Sequence, residues 1–158
     1  MQRIFEKFGP IFAAVACFCA LYFEREIVLD LFDRHQLQTD GLYTAIFDWS
    51  AIQTGFLFGV YGFMASKRDG FIGEIRETYA MAWFLSYIKR ATFIGFILTF
   101  SSIPLIIISP KVGVEHNQSF VWVAGWFSLF IWAFLAFARV AYIFGLMARI
   151  KDKEDLGA

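Results

Sequence analysis

Residues 42–66 read LYTAIFDWSAIQTGFLFGVYGFMAS, a run of 25 residues whose only charge is Asp48. A helix rises 1.5 Å per residue and needs roughly 20 apolar residues to cross about 30 Å of hydrocarbon, so this stretch is long enough to span a bilayer. Ala51, Gly55, Gly59, Gly62 and Ser66 recur within it every three or four residues. They form one helical face of small side chains, with Gly55 and Gly59 as a GxxxG step. Lipid provides no hydrophobic drive for helices to associate, so close backbone approach has to supply it. The stripe, bordered by Phe56, Phe58 and Phe63, therefore reads as a helix-packing face, used either within one chain or between subunits.

Three further apolar runs, 8–28, 91–109 and 119–141, complete four expected crossings. The fold class expected is all-α: a polytopic integral membrane four-helix bundle forming a single membrane domain over 1–158. Composition agrees, with 59% hydrophobic residues and 21 Phe in 158 positions, against roughly 45–50% apolar in soluble domains. Net charge is zero, and no basic arm marks a nucleic-acid surface. The first run resembles a signal peptide at its start, but it ends in Tyr22 and Phe23 without a small-residue cleavage site. It reads as a retained helix with Pro10 near its first turn, where a missing N–H costs least. Ala13, Cys17 and Ala20 make a second small-residue stripe that ends at Glu24. Cys17 and Cys19 diverge around such a helix and read as apolar fillers rather than a bridge.

Charge sets the orientation. With the N-terminus in the cytoplasm, ten basic residues lie inside: Arg3, Lys7, Lys67, Arg68, Arg76, Lys89, Arg90, Arg149, Lys151 and Lys153. Three (Arg25, Arg34 and Lys111) lie outside. This positive-inside bias predicts N-in/C-in topology, expected in a bacterial inner (cytoplasmic) membrane.

Segment 67–90 is more than a loop. Phe71, Ile75, Tyr79, Ala82 and Ser86 recur at i, i+4 beside Ile72, Trp83 and Tyr87, while Arg68, Glu74, Arg76 and Glu77 lie elsewhere. The pattern predicts an amphipathic cytoplasmic helix, lying on the inner membrane surface or running into the third crossing. Lys89 and Arg90 at the joint suit anionic lipid headgroups. Phe71, Ile75 and Trp83, with Arg139, form a candidate inner docking surface for a cytosolic protein; the alternative reading is an interfacial anchor. Arg139 sits near the inner end of the fourth run, placed to snorkel to phosphates or to pair with Glu74 or Glu77.

Glu24, Asp48, Gln53, Thr92 and Thr99 are a candidate polar path. Acids at membrane depth must be hydrated, protonated or paired, so Glu24 and Asp48 either cap helices at the wet outer surface or line a vestibule. Gln53, Thr92 and Thr99 equally suit hydrogen bonds between helices. No phosphate loop, nucleophile elbow or zinc motif occurs. His35 and His116 lack a second ligand at metal spacing. Neither a metal, a cofactor nor an enzymatic activity is expected.

In layout the chain resembles the small four-helix membrane components of bacterial anti-phage systems, such as the membrane subunit of Kiwa defence. The resemblance rests on size, four crossings, the charged inner segment KRDGFIGEIRET (67–78) and the stretch FDWSAIQTGFLFG (47–59). It implies homo-oligomers that sense membrane disturbance and hold a cytosolic effector at the membrane. The function expected is an oligomeric inner-membrane sensor or scaffold subunit. A homo-oligomeric ion channel or pore is the alternative, and a small ion or solute carrier the third reading.

Overall fold

A computed structural model describes residues 2–34, 40–66, 70–110, 112 and 117–149. Among them every regular element is a helix: α1 (Gln2–Phe23), α2 (Arg25–Asp33), α3 (Asp40–Ser66), α4 (Gly70–Ile75), α5 (Tyr79–Ile108) and α6 (Asn117–Met147). α5 and α6 are each long and apolar enough to cross a membrane.

The centre of the fold is an antiparallel pair, α3 and α5. Its register is fixed by a hydrogen bond between the Ser50 and Thr99 hydroxyls at 2.9 Å and by the approach of Thr54 to Gly95. α3 turns Tyr43, Ile46, Ser50, Gln53, Leu57, Val60 and Met64 inward, at the three- and four-residue spacing of a helical face. Met81, Phe84, Ile88, Ala91, Ile94 and Leu98 answer from α5. A Cβ added to Gly95 would stand 2.5 Å from Thr54 Oγ1, so this contact requires glycine.

α6 packs along α5, and α1 along α6, leaving α1 and α3 without a substantial interface. α6 also meets α3 through rings spaced by heptads. Trp49 lies 5.3 Å from Phe130, Phe56 lies 5.6 Å from Phe137, and Phe63 lies 6.1 Å from Phe144. Such edge-on ring contacts add to the burial of their area. On α1, Ala14, Phe18 and Leu21 face α6, with Phe18 against Gly125.

The apolar run 8–28 is not one helix. α1 begins earlier and breaks at Glu24, where the backbone takes φ −91° and ψ 18° before α2 starts. α2 follows, and its Leu29 packs with Phe120 and Ala124 at the start of α6. Because α1 begins at Gln2, Pro10 lies in its interior and not in its first turn, removing one i→i−4 bond there.

Segment 67–90 also differs from the expected single amphipathic helix. α4 stops at Ile75, and Thr78 starts α5 as its N-cap, its hydroxyl accepting from Met81 N and donating to Ile75 O at 2.6 Å. Arg76 donates from Nη2 to Ala65 O at 3.2 Å, covering a carbonyl at the end of α3. The break resets the helical phase. Met81, Phe84 and Ile88 become the buried face, while Tyr79 and Ala82 are exposed. α5 then runs without interruption through Lys89 and Arg90 to Ser109, whose φ of 42° ends it in the left-handed conformation.

Candidate functional site

At the end of the molecule that carries α4, cations and aromatic rings lie at one level. The Arg139 guanidinium from α6 sits 3.9 Å from the Tyr87 ring centroid on α5. Lys89 Nζ from α5 sits 5.9 Å from the Tyr61 ring on α3. Arg90 follows on the α6-facing side of α5. From Arg90 to Ser109, and from Arg139 back to Gln118, the helices carry no charge. At 1.5 Å per residue these lengths are about 28 Å and about 32 Å, the thickness of a hydrocarbon core.

A cavity of about 240 Å³ opens below this level between α1, α5 and α6. Pro10 and Ile11 of α1, Phe93 and Ile94 of α5 and Trp132 and Ala136 of α6 form its apolar walls. Tyr87, Arg90 and Arg139 close its charged end. A second cavity of about 190 Å³ shares Tyr87 and Arg90 and adds Trp83 and Ser86. Arg90 and Tyr87 therefore border both cavities. On the α3-facing side of α5, Lys89 and Thr92 border a third cavity, about 370 Å³, against Phe58 and Tyr61, and Phe93 lies between it and the first.

The candidate packing stripe on α3 faces away from the rest of the chain. Ala51 and Ser66 are exposed, and a Cβ at Gly55, Gly59 or Gly62 would meet nothing within 4 Å. Within the chain the close approach is made by Gly95, on the partner helix. Asp48 and Ile52 are exposed with the glycines, Ile52 at 73%. Ala13 and Cys17 are half-buried beside the α1–α6 contact, and Ala20 is exposed.

The candidate polar path does not converge. Glu24 and Asp48 are both exposed, on helices that do not pack on one another. Gln53 is 2% exposed and donates from Nε2 to Ala133 O at 3.3 Å, while its Oε1 has no hydrogen-bond partner. Thr92 and Thr99 bond back to Ile88 O and Gly95 O, as helix hydroxyls do. Trp126 Nε1 donates to Ser102 Oγ at 3.0 Å. Ser50, Gln53, Thr54, Thr99 and Ser102 thus tie α3, α5 and α6 together in a packed polar layer. Ser102 lies three residues after Thr99 on the same face of α5, but its indole partner has no local signal, being 24 residues away.

Of the candidate inner docking residues, Phe71 has its side chain outside the described residues. Ile75 packs on the cluster around Met64, Met81 and Val140. Trp83 is half exposed and lines the second cavity, and Arg139 lines the first. Ile75, Trp83 and Arg139 thus lie in different surroundings. The structure instead brings together Tyr87, Arg90, Trp132 and Arg139, a set that sequence spacing does not connect. His35 and His116 lie outside the described residues. No family model matches the chain, and neither curated proteins nor solved structures show a significant match to it.

Proposed function

We propose that this protein is an oligomeric integral membrane subunit that crosses the bilayer with α1, α3, α5 and α6 and presents a platform to a cytosolic protein on its N-in/C-in face. The observation that carries the oligomer is the outward face of α3. Gly55, Gly59 and Gly62 leave open space for a second backbone, in line with Asp48. A lipid-facing glycine groove forfeits dispersion contacts, and a lipid-facing carboxylate is costly, so covering both with a second copy favours association.

Support for the bilayer comes from exposure. Only 28% of the apolar window of α5 and 33% of that of α6 is buried inside the chain. A soluble core helix would be mostly covered, whereas here Phe93, Phe100, Ile107 and Trp122 face outward at 65–78% exposure. The level of cations and aromatic rings at Lys89, Arg90 and Arg139 suits an inner interface. Beyond it the first turns of α5, with Tyr79 at 89% exposure, and the end of α6 project as a platform beside α4. The layout shared with anti-phage membrane subunits favours a cytosolic effector as its occupant.

Single cysteines in a Cys17→Ser/Cys19→Ser background test the assembly in native membranes. Oxidation is expected to yield dimers from Gly59→Cys and none from Phe100→Cys on the outer face of α5. Absence of dimers from Gly59→Cys, with the native mass unchanged in Gly55→Leu/Gly59→Leu, overturns the oligomer. A pore built on the same face is the second reading, favoured by Asp48 standing in line with the glycines. It requires Asp48→Asn to change ion flux in proteoliposomes.

A further inference from the structure

We infer that the seam between α3 and α6 opens and closes, and that the Gln53 carboxamide is its catch. Both helices pack closely on α5 but meet one another far less closely. Ring contacts bridge the gap between them. Trp49 lies 5.3, 5.4 and 5.9 Å from Phe130, Phe134 and Phe137, and Phe56 lies 5.6 and 6.3 Å from Phe137 and Phe144. Each of these α3 rings thus rests between successive rings of α6. Phe56 and Phe134 are both 43% exposed, so the rings form the outer lip of the seam and not a closed core.

Behind this lip, one turn after Trp49, Gln53 is 2% exposed. Its Nε2 donates to Ala133 O at 3.3 Å, just beyond the usual N–H···O range. Its Oε1 has no hydrogen-bond partner among the described residues. Turning the amide over would set Oε1 against Ala133 O, two acceptors face to face, so the hydrogen bond fixes its orientation. The neighbouring Thr54 and Thr99 hydroxyls donate to Ser50 O and Gly95 O. The closed seam therefore keeps a buried acceptor unmet, and that costs free energy. Opening removes the cost, because water then reaches Oε1. Methionine at this position would have nearly the same length and would strand nothing, since Ala133 O lies inside α6 and accepts within that helix. The amide thus holds α6 by its N–H while its oxygen weakens the closed state, which balances two arrangements where an apolar side chain would favour one.

The seam lies within one chain, so the inference goes beyond the oligomer proposed above and survives its failure. Hydrogen–deuterium exchange of the full chain in lipid nanodiscs tests it. In the parent chain, amides of 129–137 on α6 should exchange about tenfold faster than those of 91–98 on α5, a helix held from both sides. Gln53→Met should slow 129–137 by about tenfold, within the range that an unmet buried acceptor implies, and leave 91–98 unchanged. Gln53→Asn keeps an amide but is one methylene too short to reach Ala133 O, so it should quicken exchange in 129–137. A residue that only fills space would not slow exchange when replaced by methionine. Equal protection of the two segments in the parent chain overturns the opening, with no variant needed. Unchanged or faster exchange of 129–137 in a Gln53→Met protein of native helix content overturns the role of Gln53, and so does slower exchange in Gln53→Asn.

Discussion

The Arg139 guanidinium lies 3.9 Å from the centroid of the Tyr87 ring, joining α6 to α5 where both helices leave their uncharged stretches. A cation at this distance from an aromatic face is stabilised by about 0.5–2 kcal/mol, more when desolvated. Tyr87→Leu keeps an apolar side chain on α5 but removes the quadrupole. Its expected effect is a loss of about 1 kcal/mol in unfolding free energy, read from the shift of the denaturant midpoint in mixed micelles. Arg139→Lys should lose part of that, since an ammonium does not stack as a guanidinium plane does. A Tyr87→Leu protein as stable as the parent would show that the contact contributes nothing.

Gly95 and Gly59 make opposite predictions. At Gly95 an added Cβ stands 2.5 Å from Thr54 Oγ1, a hydroxyl already bonded to Ser50 O at 2.7 Å in a buried layer. Gly95→Ala should therefore cost about 1–3 kcal/mol, the usual penalty of overpacking. Adding Thr54→Ala should recover much of it, in a double-mutant cycle read by thermal unfolding in detergent. At Gly59 the Cβ meets nothing, so Gly59→Ala should leave the single chain within about 1 kcal/mol of the parent while weakening its self-association. Equal destabilisation by both alanines would place Gly59 against an intrachain neighbour and contradict the fold.

These two glycines also show what could be read in advance. The long uncharged runs around 91–109 and 119–141 announce helices, because only continuous apolar sequence of that length gives the periodicity-free pattern seen in α5 and α6. Which face of each helix packs inward was far less legible. Polarity commonly marks the outside of a helix, but the buried face of α3 contains Ser50, Gln53 and Thr54, while its exposed face contains Ile52 and Phe58. A small-residue stripe announces close approach without naming the partner, and Gly95, on one face with Thr92, Thr99 and Ser102, reads as packing without showing that Thr54 is what it meets. The amphipathic frame from Phe71 to Ser86 failed at Thr78, because an N-cap restarts the helix and shifts every later residue around its axis. The cavity walls come from residues as distant as Pro10 and Arg139, so no local pattern encodes them.

The bond from Trp126 Nε1 to Ser102 Oγ is buried at both ends, with Ser102 at 0% and Trp126 at 6% exposure. Ser102→Ala leaves the indole N–H without this acceptor, and an unmet buried donor costs about 1–3 kcal/mol. Bonds between helices in lipid have averaged nearer 0.6 kcal/mol, so the lower end of that range is expected. Trp126→Phe in the same background removes the stranded donor. The double variant should then be destabilised by less than the sum of the two single variants. Strict additivity of the two substitutions would mean that no energy resides in the bond.

The two cysteines test whether α1 crosses the bilayer. Cys19 is exposed on α1 and Cys17 half-buried, both within the uncharged run Phe8–Phe23. If α1 is a crossing helix, the exposure of Cys19 is exposure to lipid, and a charged maleimide, excluded from hydrocarbon, should leave both thiols unlabelled in intact vesicles. Unfolding in sodium dodecyl sulfate should then expose both, giving two labels per chain. An exposed control, Asp33→Cys at the end of α2, should react in intact vesicles from the outer side alone. Its labelling from the inner side would reverse the orientation. Rapid labelling of Cys19 in intact vesicles would mean that α1 lies in water, leaving a shorter set of crossings built on α3, α5 and α6.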